Sequence, residues 1–393
     1  MRHDSGGRMV AVADDLSGAA ETAIALGVRG SRSVVVLDGA DAEAPVVVFD
    51  VDTRAAPPAV AAAAVTAALG RVRTGDRLFK KIDSLLRGNI AAEIATLTEH
   101  GYGVALTPAL PVARRVVRQG VLYVDGVPLA DSEAWRAERA TPPRTVRDAV
   151  GEAELLGLAM VRDPAALREA FTAAAGAPRV LVCDCETDAD LDAIARAAQG
   201  VPGLALAGSG GLAAAIGRLH PVPDDQAPAP AARAMPVLVV VGTAEPVAVE
   251  QVARLSGATV HSLDPGALAA GGVALPPPDG LTVLRVAPGR LDPRRAPAVA
   301  AGLAQTAVAA LTGPAALVVL GGETARRVLE ALGVDRLEPL GEIHHGAVLS
   351  RLPGGRLVVT RPGSFGGPDS LARIVRALRT PETHPAAQPA GLQ

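Results

Sequence analysis

Only two lysines occur in this chain of 393 residues, and they are neighbours, in Phe79-Lys80-Lys81-Ile82-Asp83-Ser84-Leu85-Leu86-Arg87-Gly88-Asn89. Lys+Arg total 38, so every other cation is arginine, and Asn89 is the single asparagine. An ammonium is a compact point charge and a guanidinium a planar fork. A chain that uses arginine elsewhere is expected to keep lysine where the compact charge is needed, here beside Asp83, Ser84 and Arg87. Two further clusters have the same character. Asp14-Asp15-Leu16-Ser17-Gly18 follows an apolar run, and Asp52-Thr53-Arg54 follows another. Cations interleaved with carboxylates suit a small polyhydroxylated acid: Arg or Lys holds its carboxylate, and Asp accepts its hydroxyl hydrogens.

The elements that must position these groups alternate. Apolar runs at 9–13, 34–37, 46–50, 77–79, 103–107, 179–185 and 204–207 read as strands, and 19–26, 59–69, 189–198 and 213–219 read as helices. Ser84 or Asn89 can cap a further helix carrying Ile90, Ile94 and Leu97. Strands alternating with helices predict an α/β fold with a mostly parallel sheet. Polar residues just past strand ends stand where such sheets bind ligands. Val121–Val124 and Val127–Leu129 around Asp125-Gly126 predict a hairpin.

Residues 221–236, rich in Pro, Ala and Asp, predict a linker between domains at 1–220 and 237–393, the last dozen residues or so forming a disordered tail. The alternation then restarts, with strands at 237–241, 282–286, 317–320 and 356–360 and helices from 247, at 296–311, from 325 to 332 and at 370–378. Three strand ends carry glycine with Thr or Ser: Gly242-Thr243, Gly321-Gly322-Glu323-Thr324 and Gly363-Ser364. Such turns suit a phosphate chain held by backbone amides and hydroxyls. An acceptor half beside a phosphate-binding half suggests phosphoryl transfer in the cleft between two α/β domains. No P-loop or protein-kinase signature is present.

Composition limits the partners. A length of 393 suits two domains, and hydrophobic residues at 49% with charged residues at 20% describe a globular chain. The net charge of −3 and the absence of a basic run argue against nucleic acid. No apolar run approaches a membrane span, and the first residues lack a secretory h-region, so a cytoplasmic protein is expected. Cys183 and Cys185 read as buried thiols without a metal set. His344-His345 reads as a solvated loop pair, and Trp135 as either a lid anchor or a packing residue. A homodimer is compatible with everything above.

The motifs Ala13-Asp14-Asp15-Leu16-Ser17-Gly18-Ala19, Asp52-Thr53-Arg54, Lys80 to Asn89, Pro108-Ala109-Leu110-Pro111 with Arg114, Gly208 to Ala213, Gly321 to Ala325, Gly341-Glu342-Ile343 and Arg361 to Gly367 resemble the four-carbon acid sugar kinase family, in the same order and over nearly the whole chain. The resemblance implies ATP- and Mg²⁺-dependent phosphorylation of threonate, erythronate or a 3-oxo-tetronate at the terminal 4-hydroxyl. It implies substrate contacts at Asp14, Asp15, Arg54, Lys81, Ile82, Asp83 and Ser84, catalytic roles among Asp83, Asp15 and Arg87, and ATP contacts at Thr243, Glu245, Gly321, Gly322, Glu323, Thr324 and Gly363. Magnesium would ride on the ATP phosphates, not on a dedicated protein cage.

The chain departs from the family pattern at several positions. Gly242-Thr243-Ala244-Glu245-Pro246-Val247-Ala248 replaces a hydroxyl-rich turn and adds a carboxylate. Arg361 stands for a lysine, Ala113 for a glycine before Arg114, and Leu85 for a threonine. The changes at Glu245 and Ala248 suggest, as an alternative, a sensor that binds a sugar acid without turnover. A dehydrogenase using Gly208–Gly211 as its dinucleotide loop is a third reading, disfavoured because no acidic residue is placed for a ribose.

Overall fold

The computed structural model describes residues 7–27, 32–37, 39, 42–136, 138, 140–219, 235–243, 246–288, 293–363 and 366–379. The chain divides into two compact units, Met1–Pro223 and Asp224–Gln393. Most of the predicted linker, the predicted tail and Glu245 lie outside the described residues.

In the first unit the strands are β1 (Met9–Ala13), β2 (Ser33–Val36), β3 (Val46–Asp50), β4 (Arg77–Lys81), β5 (Gly103–Thr107), β6 (Arg115–Arg118), β7 (Val121–Val124), β8 (Val127–Pro128), β9 (Glu154–Leu156), β10 (Val180–Cys183) and β11 (Leu204–Gly208). Eight of them form a parallel sheet in the order β2-β3-β1-β4-β11-β5-β10-β9. Every residue of β1, β3 and β5 is buried, as expected for parallel strands covered on both faces. The register puts the C-terminal ends of four adjacent strands at one level, because Ala13 pairs with both Asp50 and Lys81, and Lys81 pairs with Gly208. The three charged segments therefore emerge side by side.

The helix Leu16–Leu26 starts immediately after β1, with Asp15 accepting from the N–H of Gly18 at 2.9 Å as its N-cap. Ser209 caps Gly210–Arg218 in the same way. The expected hairpin is β7–β8, whose Asp125 and Gly126 both have positive φ, the requirement of a tight type I′ turn. It belongs to a small antiparallel sheet in the order β6-β7-β8. The helix Pro164–Ala174 was not among the predicted elements, although Asp163 caps it and Pro164 opens it.

The second unit contains β12 (Val237–Val241), β13 (Ala258–Leu263), β14 (Leu281–Val286), β15 (Ala316–Leu320), β16 (Arg336–His344), β17 (Ala347–Arg351) and β18 (Leu357–Arg361), in the sheet order β13-β14-β12-β15-β18-β17-β16. The first five in that order are parallel, and the last two are added antiparallel. The register aligns Val241 with Leu320, and Leu320 with Arg361, so the ends of β12, β15 and β18 are also level. The β16–β17 hairpin corrects the reading of His344 as loop: His344 closes β16, pairs with Ala347 and accepts a contact from a helix. Pro339, Gly341 and two register shifts break the alternation that would have revealed this strand.

No helix among the described residues is long and apolar enough to cross a membrane. Cys183 and Cys185 are buried and free, and burial pushes the Cys183 thiol up to about 12, which keeps it protonated and inert.

Candidate active site

Alternation along β4 sends its two lysines to opposite faces. Lys80 is fully buried and reaches Glu93 of the helix Ile90–Glu99 at 3.0 Å, and its Nζ also donates to the carbonyl of Lys81 at 2.9 Å. Glu93 in turn accepts from the Thr53 hydroxyl at 2.6 Å. Lys80 is therefore an internal tie between the loops that carry Lys81 and Arg54, and it does not face a ligand. Lys81 turns the other way. Its Nζ donates to the carbonyl of Ile82 at 3.1 Å and stands 3.8 Å from Glu21 of the helix Leu16–Leu26. That helix must approach closely: a Cβ at Gly18 would sit 2.6 Å from Asp15 Oδ1 and 3.1 Å from Lys81 Nζ.

Arg54 lies where the first two clusters meet. Its Nε and Nη2 donate to Asp14 at 2.8 and 2.9 Å, and Nη1 and Nη2 donate to Asp15 at 2.8 and 3.0 Å. Asp83 Oδ1 is 3.8 Å from the same guanidinium. The expected carboxylate anchor thus spends its fork on two carboxylates of the protein itself. Burial alone would raise the pKa of Asp14, but the Arg54 and Lys80 charges outweigh it and hold the carboxyl below the usual range. The loop bearing Arg54 is pinned from outside the cluster by Asn89, whose amide donates to the carbonyls of Thr53 and Ala56, each at 2.7 Å. Asn89 occupies the N-cap position of Ile90–Glu99, yet its side chain makes no capping bond and serves this tie instead.

Asp83 organises its own loop. Its carboxylate accepts from the N–H groups of Leu85 and Arg87 at 3.0 and 3.3 Å, and from Nε and Nη2 of Arg87, both at 2.7 Å. Burial opposes ionisation there too, and the Arg87 hydrogen bonds with the Arg54 charge overcome it, so Asp83 stays ionised far below neutral pH. A carboxylate so saturated is a weak proton acceptor. Leu86 within this loop adopts φ of +63°, a conformation that costs a non-glycine residue about 1–2 kcal/mol. Ile82 is buried, and its backbone N–H is committed to the carbonyl of Gly208 at 2.9 Å. The Ser84 hydroxyl contacts a guanidinium, that of Arg115.

Arg115, the neighbour of the motif residue Arg114, is a member of the site that the sequence reading did not include. The turn Pro111–Ala113 is 3₁₀, and the residue that takes the left-handed conformation is Arg114, with φ of +53°. In this chain the backbone conformation that favours glycine therefore falls on Arg114. Arg114 points out to an exposed contact with Asp125 at 2.5 Å, while Arg115 opens β6 and turns inward. Trp135 is buried, donates from its indole nitrogen to Ala140 at 2.7 Å, and lines a groove of about 550 Å³ with Leu86, Gly88 and Asn89, which fits the packing reading.

In the second unit the glycine turns sit at the level ends of β12, β15 and β18. Gly321 has φ of +100° and opens the helix Gly322–Ala331, so the amides of Gly322, Glu323 and Thr324 form a free helix start. Thr324 is buried against Gly242. Arg361 is fully buried at the end of β18, where its Nη1 donates to Ser370 and its Nη2 to Gln251, both at 2.8 Å. Gln251 passes the contact on, donating to the carbonyls of Gly366 and Gly367 at 3.1 and 2.8 Å. Two divergent neutral acceptors suit a fork better than a point charge, so Arg361 braces the turn from behind. Burial lowers its pKa to about 10, which leaves it charged at neutral pH. Among the described residues no group of three or more His, Cys, Asp or Glu could hold a metal.

Comparison with known proteins decides the family. A profile described as "Sugar-binding N-terminal domain" matches residues 9–216, and one described as "Nucleotide-binding C-terminal domain" matches 282–371. A D-threonate kinase of Cupriavidus necator is 36% identical across 93% of this chain and 97% of its own length. The chain belongs to the four-carbon acid sugar kinase family. A D-threonate kinase of Bordetella bronchiseptica is 35% identical (94% of this chain, 96% of the relative), and a 3-oxo-tetronate kinase of Methylobacterium radiotolerans is 30% identical (93% and 97%). A solved Haemophilus influenzae protein, 19% identical, superposes with a TM-score of 0.69 over 94% of this chain and all of its own, which supports the fold.

Family membership makes the chain a phosphotransferase with an alcohol acceptor. The first unit, with its charged strand ends, carries the sugar-binding match, and the second carries the nucleotide-binding one. A residue-level test follows in the second unit. A Cβ at Gly363 would meet Thr243 Cβ at 2.8 Å and its Oγ1 at 2.9 Å. Gly363→Ala in this kinase is expected to displace the Thr243 turn at an overpacking cost of about 1–3 kcal/mol. Steady-state kinetics should show KM for ATP rising at least ~10-fold, with KM for the acid unchanged.

Proposed function

We propose that the chain is a cytoplasmic ATP-dependent kinase that phosphorylates the terminal 4-hydroxyl of a four-carbon sugar acid, with D-threonate as the first choice. The observation that carries this reading is the cluster at the ends of β1, β3 and β4. There Arg54 holds Asp14 and Asp15 in place as hydrogen-bond acceptors, while Lys81 keeps donors for an incoming carboxylate. The names of the relatives at 36% and 35% identity favour D-threonate over the 3-oxo acid, the name carried at 30%.

ATP with Mg²⁺ on its phosphates supplies the phosphoryl group. The protein's part is positioning. Lys81 binds the carboxylate of the acid, Asp14 and Asp15 take hydroxyl hydrogens, and Asp15, the less enclosed of the pair, receives the proton of the attacking hydroxyl. The loose transition state of phosphoryl transfer asks little basicity of that carboxylate, so pairing with Arg54 does not disqualify it. Asp83 and Arg87 shape the loop that carries Ser84. The amides of Gly322 to Thr324 and the turn at Gly363 fit a phosphate chain, and magnesium would ride on the nucleotide phosphates.

The test is a coupled ADP-release screen with Mg²⁺, using D- and L-threonate, D- and L-erythronate and their 3-oxo derivatives. Turnover on D-threonate, with the product carrying phosphate on O4, is the expected result. Acid binding in calorimetry without any ADP release would make the chain a sensor, and neither binding nor turnover would remove the reading.

A further inference from the structure

The charges around the acceptor site do not share their partners evenly. Arg54 is committed to Asp14 and Asp15, and Arg87 to Asp83. Two cations remain incompletely used. Lys81 touches one backbone carbonyl and stands 3.8 Å from Glu21. Arg115 donates one bond, from Nη1 to the Ser84 hydroxyl, and its Nε is buried without a hydrogen-bond partner. A buried guanidinium N–H left unpaired costs about 1–3 kcal/mol, so such a group needs a reason or a ligand. Burial also lowers the pKa of Arg115, against the opposing pull of Asp83 and Glu21, and among the described residues no carboxylate forms an ion pair with it within 4 Å. A cation held this way is short of negative charge, and the acceptor of this reaction carries one.

We propose that Arg115 is a substrate-binding residue, which with Lys81 grips the carboxylate of the four-carbon acid and through Ser84 fixes the end of the molecule remote from the transferred phosphate. The inference rests on the reading that the acceptor is a sugar acid. Planar, paired N–H donors match a carboxylate in a way a lone ammonium does not. Arg115 therefore supplies the geometric discrimination and Lys81 the point charge. The role is one of ground-state binding, so its loss falls on KM more than on kcat.

The variants are Arg115→Met and Arg115→Lys in the full chain, with D-threonate and its neutral amide as probes. Turnover and calorimetric affinity are both measured, and urea midpoints check folding. Arg115→Met is expected to raise KM and Kd for D-threonate about 10- to 100-fold, to leave kcat within about threefold, and to leave the weak affinity for the amide unchanged. Arg115→Lys should recover part of the loss. An Arg115→Met protein that is folded and binds D-threonate as the native chain does overturns the proposal, as does an equal loss for acid and amide. If Arg115→Met does not fold, Arg115→Lys decides, because full native affinity in that variant excludes the fork geometry. A native chain that binds D-threonate without turnover refutes the kinase reading alone and leaves Arg115 to the calorimetry. A native chain that binds no four-carbon acid ends both.

Discussion

Replacing Lys80 by methionine lowers the free energy of unfolding by about 3–5 kcal/mol, read as a drop in the urea midpoint at unchanged slope. The substitution strands Glu93, which is 1% exposed and would keep only the Thr53 hydroxyl as a partner. Against the roughly 5–15 kcal/mol that holds an ordinary protein together, that is a large share. Glu93→Leu should cost a similar amount by stranding Lys80. The double variant Lys80→Met/Glu93→Leu should lose clearly less than the sum, because two apolar groups of matching size remove the desolvation cost with the pair. A coupling energy below about 0.5 kcal/mol would show that the pair does not act as a unit. Lys80→Arg should be harmful too, since Lys80 is fully buried 3.0 Å from Glu93 and a bulkier guanidinium would have to displace close-packed neighbours. The compact ammonium suits this buried pair better than a planar fork.

The sequence made the location of the acceptor chemistry legible and most of its internal wiring illegible. Charged residues past the ends of β1, β3 and β4 were visible because parallel α/β sheets collect ligand groups there, and the register brings those ends level. The different fates of Lys80 and Lys81 follow from the period of two along a strand, which settles that they part but not which one faces the core. Glu93 and Glu21 gave no signal, and Thr53 none of its bond to Glu93, because the partner of a buried charge is chosen by packing between elements distant in sequence. Asn89, one of two residues that could cap the helix, occupies the N-cap position but spends its side-chain amide on tying down the Arg54 loop, a choice that only tertiary structure resolves. Arg115 was hidden by a shift of one residue: the 3₁₀ turn over Pro111–Ala113 rotates Arg114 outward and Arg115 inward. In the second unit, the small residues at strand ends were readable, but the brace from Arg361 through Gln251 to Gly366 and Gly367 was not. Its members lie as far as 116 residues apart.

Arg54→Met is expected to reduce kcat/KM for the sugar acid at least ~10³-fold and to reverse the pH dependence of stability. In the native chain one guanidinium joins Asp14 and Asp15 and lies 3.8 Å from Asp83, so three carboxylates share its charge. The Asp14 carboxyl is held below its ordinary value near 3.9. A group with a depressed folded pKa contributes stability that is present above the unfolded value and is lost as pH falls through the folded one. Native stability should therefore be flat between pH 8 and 5 as far as these groups are concerned, and should fall only below about 4.

Without Arg54 the adjacent carboxylates repel each other in a buried setting, and their folded pKa values rise above the unfolded ones. The sign then inverts. Ionisation costs stability at neutral pH, and protonation at lower pH restores it. The urea midpoint of Arg54→Met should increase as pH is lowered from 8 to 5, while that of the native chain stays level. The loss of activity has the same origin, because a protonated Asp14 or Asp15 donates a hydrogen where the sugar hydroxyl needs an acceptor. The acid limb of the rate profile should accordingly move toward neutral pH in the residual activity. Arg54→Lys should lie between the two, since one ammonium cannot hold two carboxylates in paired contacts. A variant with a reduced rate and an unshifted acid limb would mean that Arg54 touches the substrate directly and does not set the charge state of its neighbours.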